Sequence, residues 1–129
     1  SWKAFGSDPD WKKVQTESEA DGKIVASVVS VFMNYSDIVP LAGPTSNQQP
    51  RLFELRTYTC LPNRLPNLIT RFKDHTVKLF EKHGMENIVY FESIEAEGQP
   101  KLIYLLAHQS EAAAKQSWDG FRNDPAWIA

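Results

Sequence analysis

The chain has 129 residues, of which 42% are hydrophobic and 23% charged, with a formal net charge of −2. These values fit about one globular domain and exclude a disordered polar chain. The slightly acidic balance gives no basic footprint for nucleic acid, no apolar run approaches the ~20 residues of a membrane-spanning helix, and the single cysteine, Cys60, excludes an internal disulfide framework.

Asp8-Pro9 reads as a helix start, with Asp as N-cap and Pro at the first helical position, where its missing N–H costs nothing. Trp11 and Val14 mark one face of a helix to about Ala20, and Asp21-Gly22 stops it. Lys23 to Met33 is rich in valine and is predicted as a strand. Residues 36–50 carry three prolines, a glycine and a polar tract without periodicity, which predicts a linker holding a module boundary. Arg51 to Cys60 alternates as a strand, with Leu52, Glu54, Arg56 and Tyr58 on one face and Phe53, Leu55, Thr57 and Thr59 on the other. Leu65, Leu68, Ile69, Phe72, Thr76, Leu79 and Phe80 recur at helical spacing, so a helix is predicted over about Arg64 to His83, ended by Gly84. Asn87 to Ile94 and Lys101 to His108 are two further strands, joined by a hairpin connection over Glu95 to Pro100. Ser110 then caps an alanine-rich helix from Glu111 to about Arg122.

The two ends of the chain repeat one element. Trp2, Phe5, Asp8, Pro9 and Trp11 recur in register as Trp118, Phe121, Asp124, Pro125 and Trp127. From Arg51 onward the order is strand, helix, strand, strand, helix, which is the split β-α-β-β-α-β unit less its last strand. That strand should follow the second Asp-Pro helix, and Lys23 to Met33 follows the first. The expected fold is therefore α+β, a ferredoxin-like unit in permuted order. Residues 1–35 are expected to be the C-terminal helix and strand of a preceding module, 36–50 a linker, and 51–129 a second module without its last strand. The whole then reads as a piece of a longer tandem protein.

Three segments carry a family resemblance: Phe53-Glu54-Leu55-Arg56-Thr57-Tyr58-Thr59, Leu79-Phe80-Glu81-Lys82-His83-Gly84, and the twice-occurring Trp-x-x-Phe-x-x-Asp-Pro-x-Trp element. In this order they resemble the NIPSNAP family. The resemblance covers residues 51–129, with 1–33 matching the end of a preceding module. It implies a dimeric α+β-barrel in which two ferredoxin-like units face each other across their sheets. It also implies pairing with itself, as a homodimer or a tandem pair, and a protein partner. Animal members of the family are associated with mitochondria and with protein recognition in mitophagy. Relatives in the wider barrel group include monooxygenases and haem-binding proteins, so a small-molecule enzyme or carrier acting through the barrel lumen is the alternative to a non-catalytic scaffold.

The lumen candidates are Glu54, Arg56, Tyr58, His75, Tyr104 and His108. Arg56 could clamp an anionic ligand, with Glu54 and Tyr58 beside it on one strand face. The bland reading is a neighbour pair in which Glu54 and Arg56 satisfy each other. His108 ends a strand whose same-face neighbours are Leu102, Tyr104 and Leu106, either at the barrel mouth or bonding backbone. His75 and His83 stand two helical turns apart, about 12 Å, too far to share one metal. His75 is the ligand-facing candidate, and His83 supports the helix C-terminus. The basic side chains Arg71, Lys73, Lys78 and Lys82 read as a solvated face. The paired tryptophans either lock their helices onto a sheet or form a peptide-recognition patch. No nucleophile elbow, phosphate loop, dinucleotide fingerprint or zinc-helix motif is present, so neither a cofactor nor a metal is predicted.

Overall fold

The computed structural model describes residues 1–40, 51–94 and 98–128. Linker positions 41–50 and positions 95–97 of the predicted hairpin connection lie outside the described residues. The chain divides into two compact units, Ser1–Ser30 and Val31–Ala129.

The first unit holds two short helices, α1 (Trp2–Ser7) and α2 (Pro9–Ser18). Ser1 caps α1 by accepting a hydrogen bond from the Ala4 N–H at 3.2 Å, and Asp8 caps α2 by accepting from the Asp10 N–H at 2.8 Å. α1 escaped the sequence reading because six residues give too short a window for a period to show. The Phe5 ring sits 5.8 Å from Trp2, edge-on, and 4.7 Å from Trp11. Neither helix buries a residue.

The strand predicted over Lys23 to Met33 does not form. Residues 24–32 make neither helix nor strand, and strand β1 spans only Met33–Tyr35. Valine supplies the propensity, but a strand exists only against a neighbour that completes its ladder, and tertiary context decides whether one is there. β1 does find one, pairing antiparallel with the first strand of the hairpin so that Met33 faces Ser93 and Tyr35 faces Phe91.

The second unit follows the predicted order closely. It contains β2 (Leu52–Thr59), α3 (Leu65–Arg71), a π-helical turn (Phe72–Thr76), α4 (Val77–Lys82), β3 (Glu86–Ser93), β4 (Lys101–His108), α5 (Glu111–Arg122) and α6 (Pro125–Ile128). The four strands form one antiparallel sheet in the order β1-β3-β4-β2. β2 and β3 both run antiparallel to β4 and are therefore parallel to each other, joined through α3 and α4 and split by β4. That is the opening half of a split β-α-β-β-α-β unit. The chain is thus a mixed α+β fold with an open four-stranded sheet. β1 adjoins β3, at the edge opposite the one beside β2 where a strand completing the unit belongs.

The core lies between the sheet and the helices. Phe72, Phe80, Tyr90 and Tyr104 are its largest fully buried side chains, with the Tyr90 and Tyr104 rings stacked 4.8 Å apart. Phe72 touches Tyr58, Tyr90 and Tyr104 edge-on at 5.3–5.8 Å between ring centres. Phe72, Thr76, Leu79 and Phe80 all face inward across the π-helical turn, on the stripe that their helical spacing marks. Ser36 is buried and its N–H donates to the Tyr90 carbonyl at 2.9 Å, while Ile38 and Val39 pack on the core. The described start of the predicted linker is thus part of the second unit.

The second copy of the recurrent element folds as the first does. Phe121 stands 5.6 Å from Trp118, edge-on, and 4.6 Å from Trp127, and Asp124 accepts from the Ala126 N–H at 2.9 Å. The difference is burial. Trp118 and Phe121 are 8% and 4% exposed on the core, whereas Trp2 and Phe5 are 76% and 45% exposed. One sequence pattern gives one local structure, and in the second unit that structure packs into the core beside the sheet.

Asp124 also ties the helices together. Its Oδ2 accepts from Lys82 Nζ and pairs with His83 Nε2, both at 2.7 Å, so His83 supports its helix end through a carboxylate from the far end of the unit. Gly120 makes room for this, because a Cβ there would lie 2.8 Å from His83 Nδ1. Hydrogen bonds from Lys82, His83 and the Ala126 N–H hold the Asp124 carboxyl well below the usual carboxylate range. Its folded pKa lies below the unfolded value, so its stabilisation is present above the unfolded pKa and is lost as pH falls through the folded one. Acid denaturation followed between about pH 5 and pH 1 should accordingly lose part of its pH dependence in Asp124→Asn. An unchanged acid limb would refute that role.

Candidate functional site

Five of the six lumen candidates converge. β2 pairs with β4 so that Glu54 faces Leu106, Arg56 faces Tyr104 and Leu52 faces His108, which puts Glu54, Arg56, Tyr58, Tyr104 and His108 on one side of the sheet. That side carries the helices. Trp118 of α5 donates from Nε1 to Glu54 Oε1 at 2.9 Å, and Phe72 packs on Tyr58 and Tyr104.

The polar groups bind one another. His108 Nε2 and Trp118 Nε1 both reach Glu54 Oε1 at 2.9 Å, and Arg56 Nη1 donates to Glu54 Oε2 at 2.8 Å. Arg56 Nε donates to the Tyr104 hydroxyl at 3.1 Å and Nη2 to the Tyr58 hydroxyl at 3.3 Å. The Tyr104 hydroxyl donates in turn to Tyr58 at 2.9 Å. The guanidinium also lies 4.3 Å over the Trp118 ring, a cation–π contact. His108 Nδ1 is buried without a hydrogen-bond partner among the described residues.

The electrostatics follow from this geometry. Burial pushes the Glu54 pKa up, but hydrogen bonds from Trp118, Arg56 and His108 outweigh it and hold the carboxyl below its ordinary value. Burial likewise opposes the Arg56 charge, yet the bonds to Glu54 and Tyr58 win and raise its pKa. The Tyr104 hydroxyl is pushed up by burial first and by its bond to Tyr58 second. The charged Glu54–Arg56 pair and a Tyr104 hydroxyl held protonated make a positioning network.

His75 does not join them. It lies exposed in the π-helical turn. The sequence reading missed Trp118 as a member of the network, since it assigned that residue to the recurrent element alone. The signal available was the indole N–H itself, which usually finds an acceptor when buried. Among the described residues no three His, Cys, Asp or Glu side chains converge as a metal site, and no helix is long and apolar enough to cross a membrane.

Two other surfaces stand out. A cleft of about 610 Å³ opens where β2 ends and α3 begins, lined by Tyr58, Cys60, Leu61, Arg64, Leu68 and Arg71. Burial raises the pKa of the Cys60 thiol at its wall, against a smaller opposing effect of Arg71, which disfavours a reactive thiolate there. The other surface is the sheet face turned away from the helices. Leu55, Leu105 and Val89 form one cross-strand row on it, and Thr57, Ile103, Phe91 and Tyr35 the next.

A two-layer α+β domain results, with its partly buried polar cluster on the helix side of the sheet and an apolar sheet face outside. A family model described as NIPSNAP matches residues 53–129. The match spans well over half of the chain, which belongs to the NIPSNAP family. Comparison with curated proteins and with solved structures gave no match.

Proposed function

We propose that the chain is a non-catalytic assembly module that pairs, with a second copy or a tandem module, through the helix-free face of its sheet. The observation that carries this reading is the division of side chains between the two faces. The polar residues point at the helices and satisfy one another, while the opposite face presents Phe53 and Leu55 at 52% and 69% exposure. An apolar face of this kind marks an interaction site, and packing two such faces would make the paired barrel that the family resemblance implies. The alternative, a monooxygenase- or haem-type lumen built on Arg56, Tyr58, Tyr104 and His108, has less support. Arg56, Tyr104 and His108 already direct hydrogen bonds at neighbours, and Tyr58 accepts from two of them, Arg56 and Tyr104.

Leu55→Asp tests the reading, since it places a charge on the face while Leu55 contributes little to the core. The wild-type chain should sediment as a dimer at tens of micromolar, and Leu55→Asp as a monomer with an unchanged far-UV spectrum. A strictly monomeric wild type would sink the proposal.

A further inference from the structure

We propose that the outer edge of β2 receives Ile24–Val31 from a second copy of this chain as an added antiparallel strand. The inference rests on the pairing reading above and names a segment that makes the pair. β2 closes one side of the sheet, and its outer edge carries no strand among the described residues. It is eight residues long and apolar on its exposed face. Such an edge presents a row of N–H and C=O groups without ladder partners, a template for another strand.

Three observations choose the occupant. The recurrent element comes first. Its two copies share ring geometry and capping, so the chain following one copy is a guide to what should follow the other. After the second copy, a right-handed crossover from β4 through α5 puts the next strand parallel to β4 and beyond β2, hence antiparallel to β2. After the first copy comes Ile24-Val25-Ala26-Ser27-Val28-Val29-Ser30-Val31, eight residues matching the eight of β2, with no proline or glycine.

The state of that segment comes second. Ile24, Val25, Val28 and Val29 are exposed and belong to no strand, although their composition favours one. In antiparallel register the Ile24 end meets the Thr59 end of β2, beside the apolar wall that Tyr58, Leu61 and Leu68 give the cleft.

Reach comes third, and it excludes the segment's own sheet. Met33 is fixed opposite Ser93 in β1, at the far edge. The position outside β2 lies four strand spacings away, about 19 Å. The step from Val31 to Met33 spans at most about 7 Å. While β1 is in place, a second copy must supply the strand.

Val28→Pro tests this, because proline removes a ladder donor and is excluded from a paired strand interior. Val28 is exposed and outside any element, so the variant keeps the fold of residues 31–129. Two readouts are needed on the full 129-residue chain: mass by light scattering, and hydrogen exchange of the β2 and 24–31 amides across a concentration series. We expect the wild type to dimerise with exchange of both segments slowed by about tenfold or more, and Val28→Pro to lose both effects. Retention of the dimer and of β2 protection in Val28→Pro overturns the proposal, as does β2 protection in a monomer. Leu55→Asp separates this inference from the reading beneath it. If Leu55→Asp dissociates the dimer and Val28→Pro does not, face pairing holds and strand exchange falls. If Val28→Pro alone dissociates it, strand exchange stands and face pairing falls.

Discussion

Glu54→Ala should destabilise the domain by about 2–4 kcal/mol, the cost of removing one partner from a partly buried, multiply bonded charge cluster. The carboxylate accepts from three side chains on three elements: Arg56 on its own strand, His108 on β4 and Trp118 on α5. Truncation leaves the His108 and Trp118 N–H groups without acceptors and Arg56 without its counter-charge. Glu54→Gln keeps a carbonyl in place and should recover part of the loss. Urea unfolding of the three proteins measures this directly. If Glu54→Ala matched the wild type in stability, the cluster would not be the structural clamp described above, and an anchoring role for an outside ligand would regain its standing.

Phe72→Ala should cost about 3–5 kcal/mol, the range for removing a buried aromatic ring. Phe72 is 1% exposed and meets Tyr58, Tyr90, Tyr104 and Phe80 at ring distances of 5.3–6.0 Å. Those rings come from β2, β3, β4 and α4, so the cavity would open where four elements meet and could close only by shifting the π-helical turn. Against a typical domain stability of about 5–15 kcal/mol, the variant should unfold at markedly lower urea or fail to accumulate folded. A loss below about 1 kcal/mol would mean that Phe72 is less central than its contacts imply.

The sequence disclosed most of this core because the core elements carry their own period. Lys101 to His108 is an apolar run of strand length, as suits a strand buried along both faces, and β4 has those limits. Ser110 announced α5 with its hydroxyl, which accepts from the Ala113 N–H at 3.1 Å. The strand at 23–33 failed for a physical reason: composition sets propensity, while a ladder needs a neighbour that no local pattern specifies. The π-helical turn was illegible because a single inserted residue leaves the apolar spacing within the tolerance of an ordinary helix.

The site was legible by parity and no further. Alternation placed Glu54, Arg56 and Tyr58 together, and the matching strand placed Tyr104 with His108. Which face meets the helices is a tertiary fact, carried by the contact of Trp118 with Glu54, sixty-four positions apart in the chain. The same holds for Asp124, whose contact with His83 spans forty-one positions. Cap preference explains the bond from Asp124 to Ala126 but says nothing of the two bases it also binds.

The central claim, that this domain pairs through its helix-free sheet face, is tested most directly at the methyl groups of that face. Leu55, Leu105 and Val89 can be labelled and their NMR signals followed against a soluble paramagnetic probe at low and high protein concentration. The account predicts that these methyls are shielded from the probe as concentration rises, while those of the exposed Ile128 on α6 stay accessible throughout. Equal accessibility of Leu55, Leu105 and Val89 at every concentration would contradict it.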